Sequence, residues 1–302
     1  MHNSLVRIDV KSTLKLQTLK NVTVDLIKTA ATHLPKDVIE ALRRAYETET
    51  NPTGKIQLKA ILENVELAER QEAPICQDTG TIAFYVKAGS RMKNLDKVEP
   101  ALTGATREAT KLVPLRPNAV DPFTQKNSGN NTGRFMPQVH WEIVPGEVLE
   151  LTVVLKGDGS ENVSALGILK PAEGIRGVKK FVVDAVIKAG AQPCPPTILG
   201  VAFGGTADTA MALAKRVLLK PLDVAHPEPR IAKLERELLE AVNMIGIGPM
   251  GLGGDTTVLG VHVDYAFRHP ASFPVAVAFS CWCDRRMTAR VNAKGEAEYL
   301  RC

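Results

Sequence analysis

The stretch PICQDTGTIAFYVKAG, from Pro74 to Gly89, constrains this chain more than any other. Cys76 and Asp78 stand in a turn that closes at Gly80, and an apolar run from Ile82 to Val86 follows at once. Such a run, bounded by turn residues, predicts a core strand. A thiol and a carboxylate at the mouth of a buried strand suit a metal site or a nucleophilic centre. Two later segments can complete it: AQPCPPTILG carries Cys194, and SCWCDRR carries Cys281 and Cys283. Each borders a predicted strand end, where loops converge.

With Cys302 the chain holds five cysteines in 302 residues, far too few for a disulfide framework. A free cysteine is also a common core residue, and that reading stands beside the ligand reading at each position. The formal charge of +5, from 38 basic and 33 acidic residues, is spread out, and aromatics are only 5%. Neither a basic stripe nor a stacking platform is present, so no nucleic-acid partner is expected. A mild positive balance suits a small anionic substrate. No apolar run approaches the roughly 20 residues needed to span a bilayer, so no membrane partner is expected. The N-terminal MHNSLVRIDVKSTLKLQ lacks an apolar segment with a small-residue cleavage site, which predicts a cytoplasmic protein.

Residues 1–20 read as an irregular or strand-like lead. Helical periodicity covers 22–34, 37–49 and 55–71, the last with Leu58, Ile61, Leu62, Val65 and Ala68 on one stripe and Leu67 off it. A strand over 81–88 and a helix over 99–112 follow. The stretch 114–137 has little periodicity and is rich in Asn, Gly and Thr; a loop that long serves a site or is disordered, and a site loop is the preferred reading. Strands at 139–144 and 148–157 flank PGE, which reads as a hairpin break. GDGSENVSAL is a Gly-rich turn feeding a strand. Helices are expected at 172–190, at 206–220 and from after Pro229 to Gly246, strands at 197–205, behind the glycine run within 247–266 and at 274–284, and an edge hairpin over 288–300. No regular βαβ repeat and no linker composition appear. The expected fold is α+β: a mixed-sheet layered fold with several packed helices, one domain over 1–302, and a site built from loops at strand ends.

Fe–S clusters and zinc are both held by cysteine. A centre made of Cys76, Cys194 and one of Cys281 or Cys283 needs three separate turns to meet. Three thiolates on a four-iron cluster leave one iron free as a Lewis acid. Asp78 can orient substrate or move a proton; equally, it can be a turn acid accepting backbone N–H bonds. His269 is an acid–base candidate, whereas His140 and His262 read as strand-face residues and His33 and His226 lie near helix ends. Arg116, Arg134, Arg285 and Arg286 lie near the loops of interest; a loop arginine is more commonly a solvated surface residue, and a carboxylate clamp is the alternative. KGDGSEN lacks the ending of a P-loop, and GIGPMGLGG precedes a strand rather than following one, so neither spells a nucleotide site. Their backbone N–H groups can still hold an anion.

PICQDTG, AGAQPCPPTILGVAFGG, NMIGIGPMGLGGDTT and SCWCDRR, in that order, resemble the iron–sulfur-dependent hydro-lyases, the class I fumarases and L(+)-tartrate dehydratases. The likeness runs from about residue 20 to near the end and matches the separate alpha subunit of two-subunit forms. It implies a [4Fe-4S] cluster on Cys76, Cys194 and Cys281, with Cys283 at a variable position. It implies substrate binding by Gln77, Arg116 and Gly159 and catalysis by Asp78 and His269. The implied reaction is reversible addition or removal of water on a C4 dicarboxylate, fumarate/L-malate or L(+)-tartrate, with one iron binding the substrate's hydroxyl and carboxylate. It also implies a beta subunit carrying a threonine base and further basic residues, in an alpha2beta2 heterotetramer. The competing readings are a non-catalytic metal-binding or assembly subunit, and a cysteine-nucleophile enzyme that would need a histidine beside Cys76.

Overall fold

The computed structural model describes residues 15–292 and 294–300. In chain order the helices are α1 (Leu16–Thr32), α2 (Lys36–Thr48), α3 (Pro52–Gln71), α4 (Val98–Leu112), α5 (Asp158–Glu161), α6 (Gly174–Ala189), α7 (Ala207–Val217) and α8 (Pro229–Asn243). The strands are β1 (Thr81–Gly89), β2 (Gln138–Val144), β3 (Val148–Lys156), β4 (Ala165–Leu169), β5 (Thr197–Phe203), β6 (Val258–Tyr265), β7 (Phe273–Ser280), β8 (Arg285–Asn292) and β9 (Ala297–Leu300). The chain divides into two compact units, each discontinuous in sequence. Among the described residues the first takes 15–30, 81–154 and 287–300; the second takes 31–80 and 155–286. Because the chain leaves and re-enters each unit inside helices and strands, no linker composition marks a boundary. The lead expected over residues 1–20 falls mostly outside the described residues, as does Cys302; from Leu16 onward the chain is helical.

The first unit holds a five-stranded sheet in the order β2-β1-β3-β8-β9. The predicted hairpin at PGE does not form. β2 runs parallel to β1, Ala83 opposite Gln138 and Gly89 opposite Val144, and β1 lies between β2 and β3. The PGE turn instead crosses the end of β1, where a Cβ on Gly89 would fall 2.6 Å from the Gly146 carbonyl. The edge hairpin does form, with Val291 opposite Ala297. The stretch 114–137 is held by side-chain bonds to its own backbone. Buried Asn131 accepts from the Asn118 amide at 2.6 Å and donates to the Arg116 carbonyl at 3.1 Å.

The second unit is a four-stranded sheet, β4-β7-β5-β6, with helices on both faces. β5 pairs in parallel with β6 and antiparallel with β7, so the sheet is mixed, as expected. Both β5 and β7 are buried along their whole length, which explains their unbroken apolar runs. Val178 and Val182 of α6 and Leu234 and Leu238 of α8 pack with Leu199, Val201, Val275 and Val277. Leu42, Leu58, Ile61, Val65 and Ala214 pack on the other face with Ile198, Ala202, Ala276 and Ala278. At Gly200 a Cβ would stand 2.0 Å from the Ala214 carbonyl oxygen, so only glycine lets α7 lie on β5. The α3 stripe is as read, with Leu58, Ile61, Val65 and Ala68 buried and Leu67 exposed. Asn51 caps that helix by accepting from the Thr53 and Gly54 amides.

At the end of β7 the chain turns through Cys281–Asp284 into β8. Arg286 is only 6% exposed there. Its guanidinium bonds Asp37 of α2 at 2.5 Å and also Asp284. Asp37 accepts in addition from the Leu222 amide at 2.8 Å, and Asp284 from the Ser280 hydroxyl at 2.6 Å. Removing one member of a buried ion network strands the rest. Arg286→Met is therefore expected to destabilise the chain by about 3–5 kcal/mol, read as a lower midpoint in urea denaturation at neutral pH.

Candidate metal centre

The site is built from five turns at one end of the four-stranded sheet. Cys194 precedes β5 and Cys281 follows β7, and the pairing of Ile198 with Ser280 puts both at that end. The Trp282 amide donates to the Cys194 carbonyl at 3.3 Å, fastening the two cysteine turns together. Cys194 itself sits at a left-handed φ of 54°, a conformation a non-glycine residue keeps only when its surroundings fix it. The Cys76 turn is fixed by Asp78, whose Oδ1 accepts from the Gly80 amide and whose Oδ2 accepts from the Asp158 amide, both at 2.9 Å. The turn-acid reading of Asp78 is thus realised, and the acid also ties two segments 80 residues apart. Gly80, at φ 82°, presses against the backbone of Leu155 and Lys156, where a Cβ would come within 2.8 Å. Gly159 packs on the Gln192 carbonyl, where a Cβ would come within 2.9 Å.

A Cβ added to Gly157 would stand 3.4 Å from Asp78 Oδ2, 3.8 Å from Arg285 Nη2 and 4.0 Å from Cys281 Sγ. That small gap brings a carboxylate, a guanidinium and a thiol around one point. Cys76, Cys194 and Cys281 are half-buried, while Cys283 is 2% exposed inside the apolar cluster with Leu42, Leu58 and Ala278. Burial, then the nearby Cys76 and Asp78, push the Cys194 thiol up. Burial pushes Cys281 up to about 11 against the pull of Arg285, and pushes Cys283 well above its ordinary range. In the metal-free chain Cys194 and Cys281 thus hold their protons more tightly than an ordinary thiol, and a bound metal would displace them.

Among the described residues no three His, Cys, Asp or Glu side chains converge tightly enough to hold a single metal ion. A four-iron cluster asks for something different: each thiolate takes its own iron, so thiols set around a gap fit it. Arg285 supplies a second sign. It is 1% exposed, and its three guanidinium nitrogens have no hydrogen-bond partner among the described residues. The donor set, the gap at Gly157 and the unpartnered cation all fit an anionic, sulfur-ligated group. The surface reading of the loop arginines fails at Arg285 and Arg286, both buried, because each faces inward where β8 begins.

The other predicted residues are placed as follows. Gln77 is exposed at the Cys76 turn, and Gly159 is exposed in α5. Arg116 lies exposed in the 114–137 loop of the first unit. His269 is exposed before β7, with its ring accepting from the Ala271 amide at 3.2 Å. His269 lies before β7 and Cys281 after it, so the full length of that eight-residue strand runs between them. The described histidines have other neighbours: His33 meets Thr32 and Glu69, His140 stacks on Tyr85, His226 accepts from Glu228, and His262 lies beside Glu235.

Two groups of site residues were not singled out from the sequence. Lys156, mostly buried, bonds the Phe279 carbonyl and the Ser160 hydroxyl and lies 3.6 Å from Glu161. Burial pulls Lys156 below the usual lysine range, while Glu161 and Cys281 act against that pull. Lys215 also reaches Glu161, at 2.5 Å. Glu49, 3% exposed, accepts from the amides of Asn51, Asp255 and Thr256. The glycine-rich loop does cradle an anion, but that anion is the chain's own carboxylate. The same loop meets the Cys194 turn, where the Met250 amide donates to the Pro195 carbonyl at 2.7 Å.

Known proteins resemble this chain over most of its length. Residues 20–290 match the family described as fumarate hydratase (Fumerase). A protein of Methanocaldococcus jannaschii, provisionally named an L(+)-tartrate dehydratase subunit alpha, is 43% identical over 278 residues, covering 91% of this chain and 98% of that one. An L(+)-tartrate dehydratase subunit alpha from Escherichia coli is 40% identical over 276 residues, covering 91% of each.

Glu161 gives the site a pH signature. Burial raises its carboxyl, but Lys215 and Lys156 outweigh burial and hold it below its ordinary value of 4.5. A depressed carboxyl contributes stability above its unfolded value and loses it as pH falls through the folded one. Glu161→Gln is expected to cost about 1 kcal/mol at pH 7, the pair being partly solvated. The gap between variant and wild type in urea midpoint should then close as pH drops below 4.5.

Proposed function

Because the chain belongs to the fumarate hydratase (Fumerase) family, we propose that it is the alpha subunit of a hydro-lyase that reversibly adds or removes water on a C4 dicarboxylate. L(+)-tartrate is the first substrate to test, since the relatives at about 40% identity are tartrate dehydratase subunits by name; fumarate and L-malate follow from the family. The observation that carries the reading is the meeting of the Cys76, Cys194 and Cys281 turns beside Asp78 and an unpartnered buried arginine.

On this reading Cys76, Cys194 and Cys281 hold a [4Fe-4S] cluster. Its chemistry, when bound, is that of a Lewis acid for substrate oxygens at the iron without a protein thiolate. Cys283 is a core residue, which supports Cys281 as the third ligand. Asp78, fixed by two backbone donors, faces the gap at Gly157 and is the carboxylate placed to hold or move a proton there. Gln77, exposed on the same turn, and Gly159, exposed on the facing one, are proposed to border the substrate. For Arg116 and His269 a substrate role rests on the family pattern. The name "subunit alpha" on the relatives supports a beta partner that completes the machinery, in an alpha2beta2 assembly. No helix among the described residues is long and apolar enough to cross a membrane.

The test is anaerobic co-expression with a candidate beta chain, cluster reconstitution and parallel assays on L(+)-tartrate, fumarate and L-malate. One of them should turn over. Cys281→Ser should abolish both iron retention and turnover. Cys283→Ser should keep both and cost about 1–3 kcal/mol of stability, the price of a buried hydroxyl without a partner. A cluster-loaded complex that turns over none of the three would point instead to the non-catalytic assembly role.

A further inference from the structure

Arg285 and Arg286 open the same strand and meet opposite fates. Successive strand residues point to opposite faces. Arg286 finds two aspartates, whereas Arg285, equally deep, finds no hydrogen-bond acceptor among the described residues. The carboxylates close by are already engaged. Asp284 accepts from Ser280 and Arg286, and the two oxygens of Asp78 accept from the Gly80 and Asp158 amides. A buried guanidinium is tolerated where an anion meets it, and its weak hydration makes it the cation best suited to such a place. Arg285 Nη2 and Cys281 Sγ lie 3.8 and 4.0 Å from the same point at Gly157.

We propose that Arg285 is a positioning residue of the metal centre, donating N–H bonds to the anionic sulfur of the bound cluster and balancing charge that the three thiolates leave uncompensated. The inference rests on the cluster reading above. It assigns Arg285 to the cofactor rather than to a substrate carboxylate, the other anion a guanidinium would clamp. Hydrogen bonds to sulfur stabilise the reduced cluster and so raise its potential. They also oppose loss of the cluster. In the iron-free chain the same residue is a buried cation without a hydrogen-bond partner among the described residues, so its removal should have opposite effects on the two forms.

The experiment compares wild type, Arg285→Met and Arg285→Lys in the co-expressed alpha–beta complex, iron-free and reconstituted. Iron-free Arg285→Met should withstand urea as well as wild type or better. Reconstituted Arg285→Met should lose iron to a chelator about tenfold faster. Its midpoint potential should fall, by about 60 mV if the bonds favour the reduced cluster tenfold. Arg285→Lys, which keeps the charge, should fall between the two. The inference is overturned if Arg285→Met keeps wild-type iron release and potential while KM alone rises, which marks a substrate clamp. It is equally overturned if both forms lose stability alike, which marks a packing role. Failure of the wild-type complex to take up iron would sink the cluster reading itself, a result none of the variants could mimic.

Discussion

The Arg286 guanidinium, held between Asp37 and Asp284, fixes the segment on which the candidate site turns. It ties the turn after β7 to the first turn of α2, across almost 250 residues of sequence. A buried ion network of this kind adds little net stability compared with an apolar replacement, because desolvation offsets attraction. Its effect here is on register. With Arg286 locked to one side, strand alternation sends Arg285 to the other side, toward Cys281 and Gly157. The turn between them carries Cys281 outward and buries Cys283 in the core. One fixed residue therefore sorts three neighbouring side chains, Arg285, Cys281 and Cys283, into structural and chemical roles.

The rest of the scaffold is backbone held by carboxylates and glycines. Asp78 joins the Cys76 turn to the turn after β3, Gly159 admits the Cys194 loop, and the Trp282 amide joins that loop to the Cys281 turn. Glu49 organises the glycine-rich loop from within, and that loop buttresses the Cys194 turn through Met250. None of these contacts uses a thiol. The cysteines are thus arranged before any metal arrives, which lowers the ordering cost of binding one.

Periodicity made most elements legible, because both faces of the second unit's sheet are covered and its strands read as unbroken apolar runs. The three cysteine turns were legible too, since each borders such a run. What failed was pairing and partnership. PGE looked like a hairpin because two strands flank it, but β2 chose β1 as its neighbour, a choice made by contacts far from the turn. Arg285 and Arg286 looked like surface residues because the partner of one, Asp37, lies 249 residues away, and the other has no hydrogen-bond partner among the described residues. Glu49 gave no signal at all. A carboxylate that caps a loop 206 residues away is invisible without the fold.

The charges around the thiols also bear on how the proposed chemistry is divided. Moving water across a dicarboxylate calls for a Lewis acid at the hydroxyl, a proton-moving group at the neighbouring carbon, and cations for two carboxylates. The second unit offers three thiols and one oriented carboxylate, Asp78. Its nearby cations are mostly occupied: Lys156 by the Phe279 carbonyl and Glu161, Lys215 by Glu161, Arg286 by two aspartates. If Arg285 faces the cluster, these lysines and arginines leave little positive charge for substrate. His269 sits at the far end of β7 from Cys281. On the proposed reading, then, the second unit is specialised for holding the metal centre, and the charge that grips the substrate comes chiefly from outside that unit.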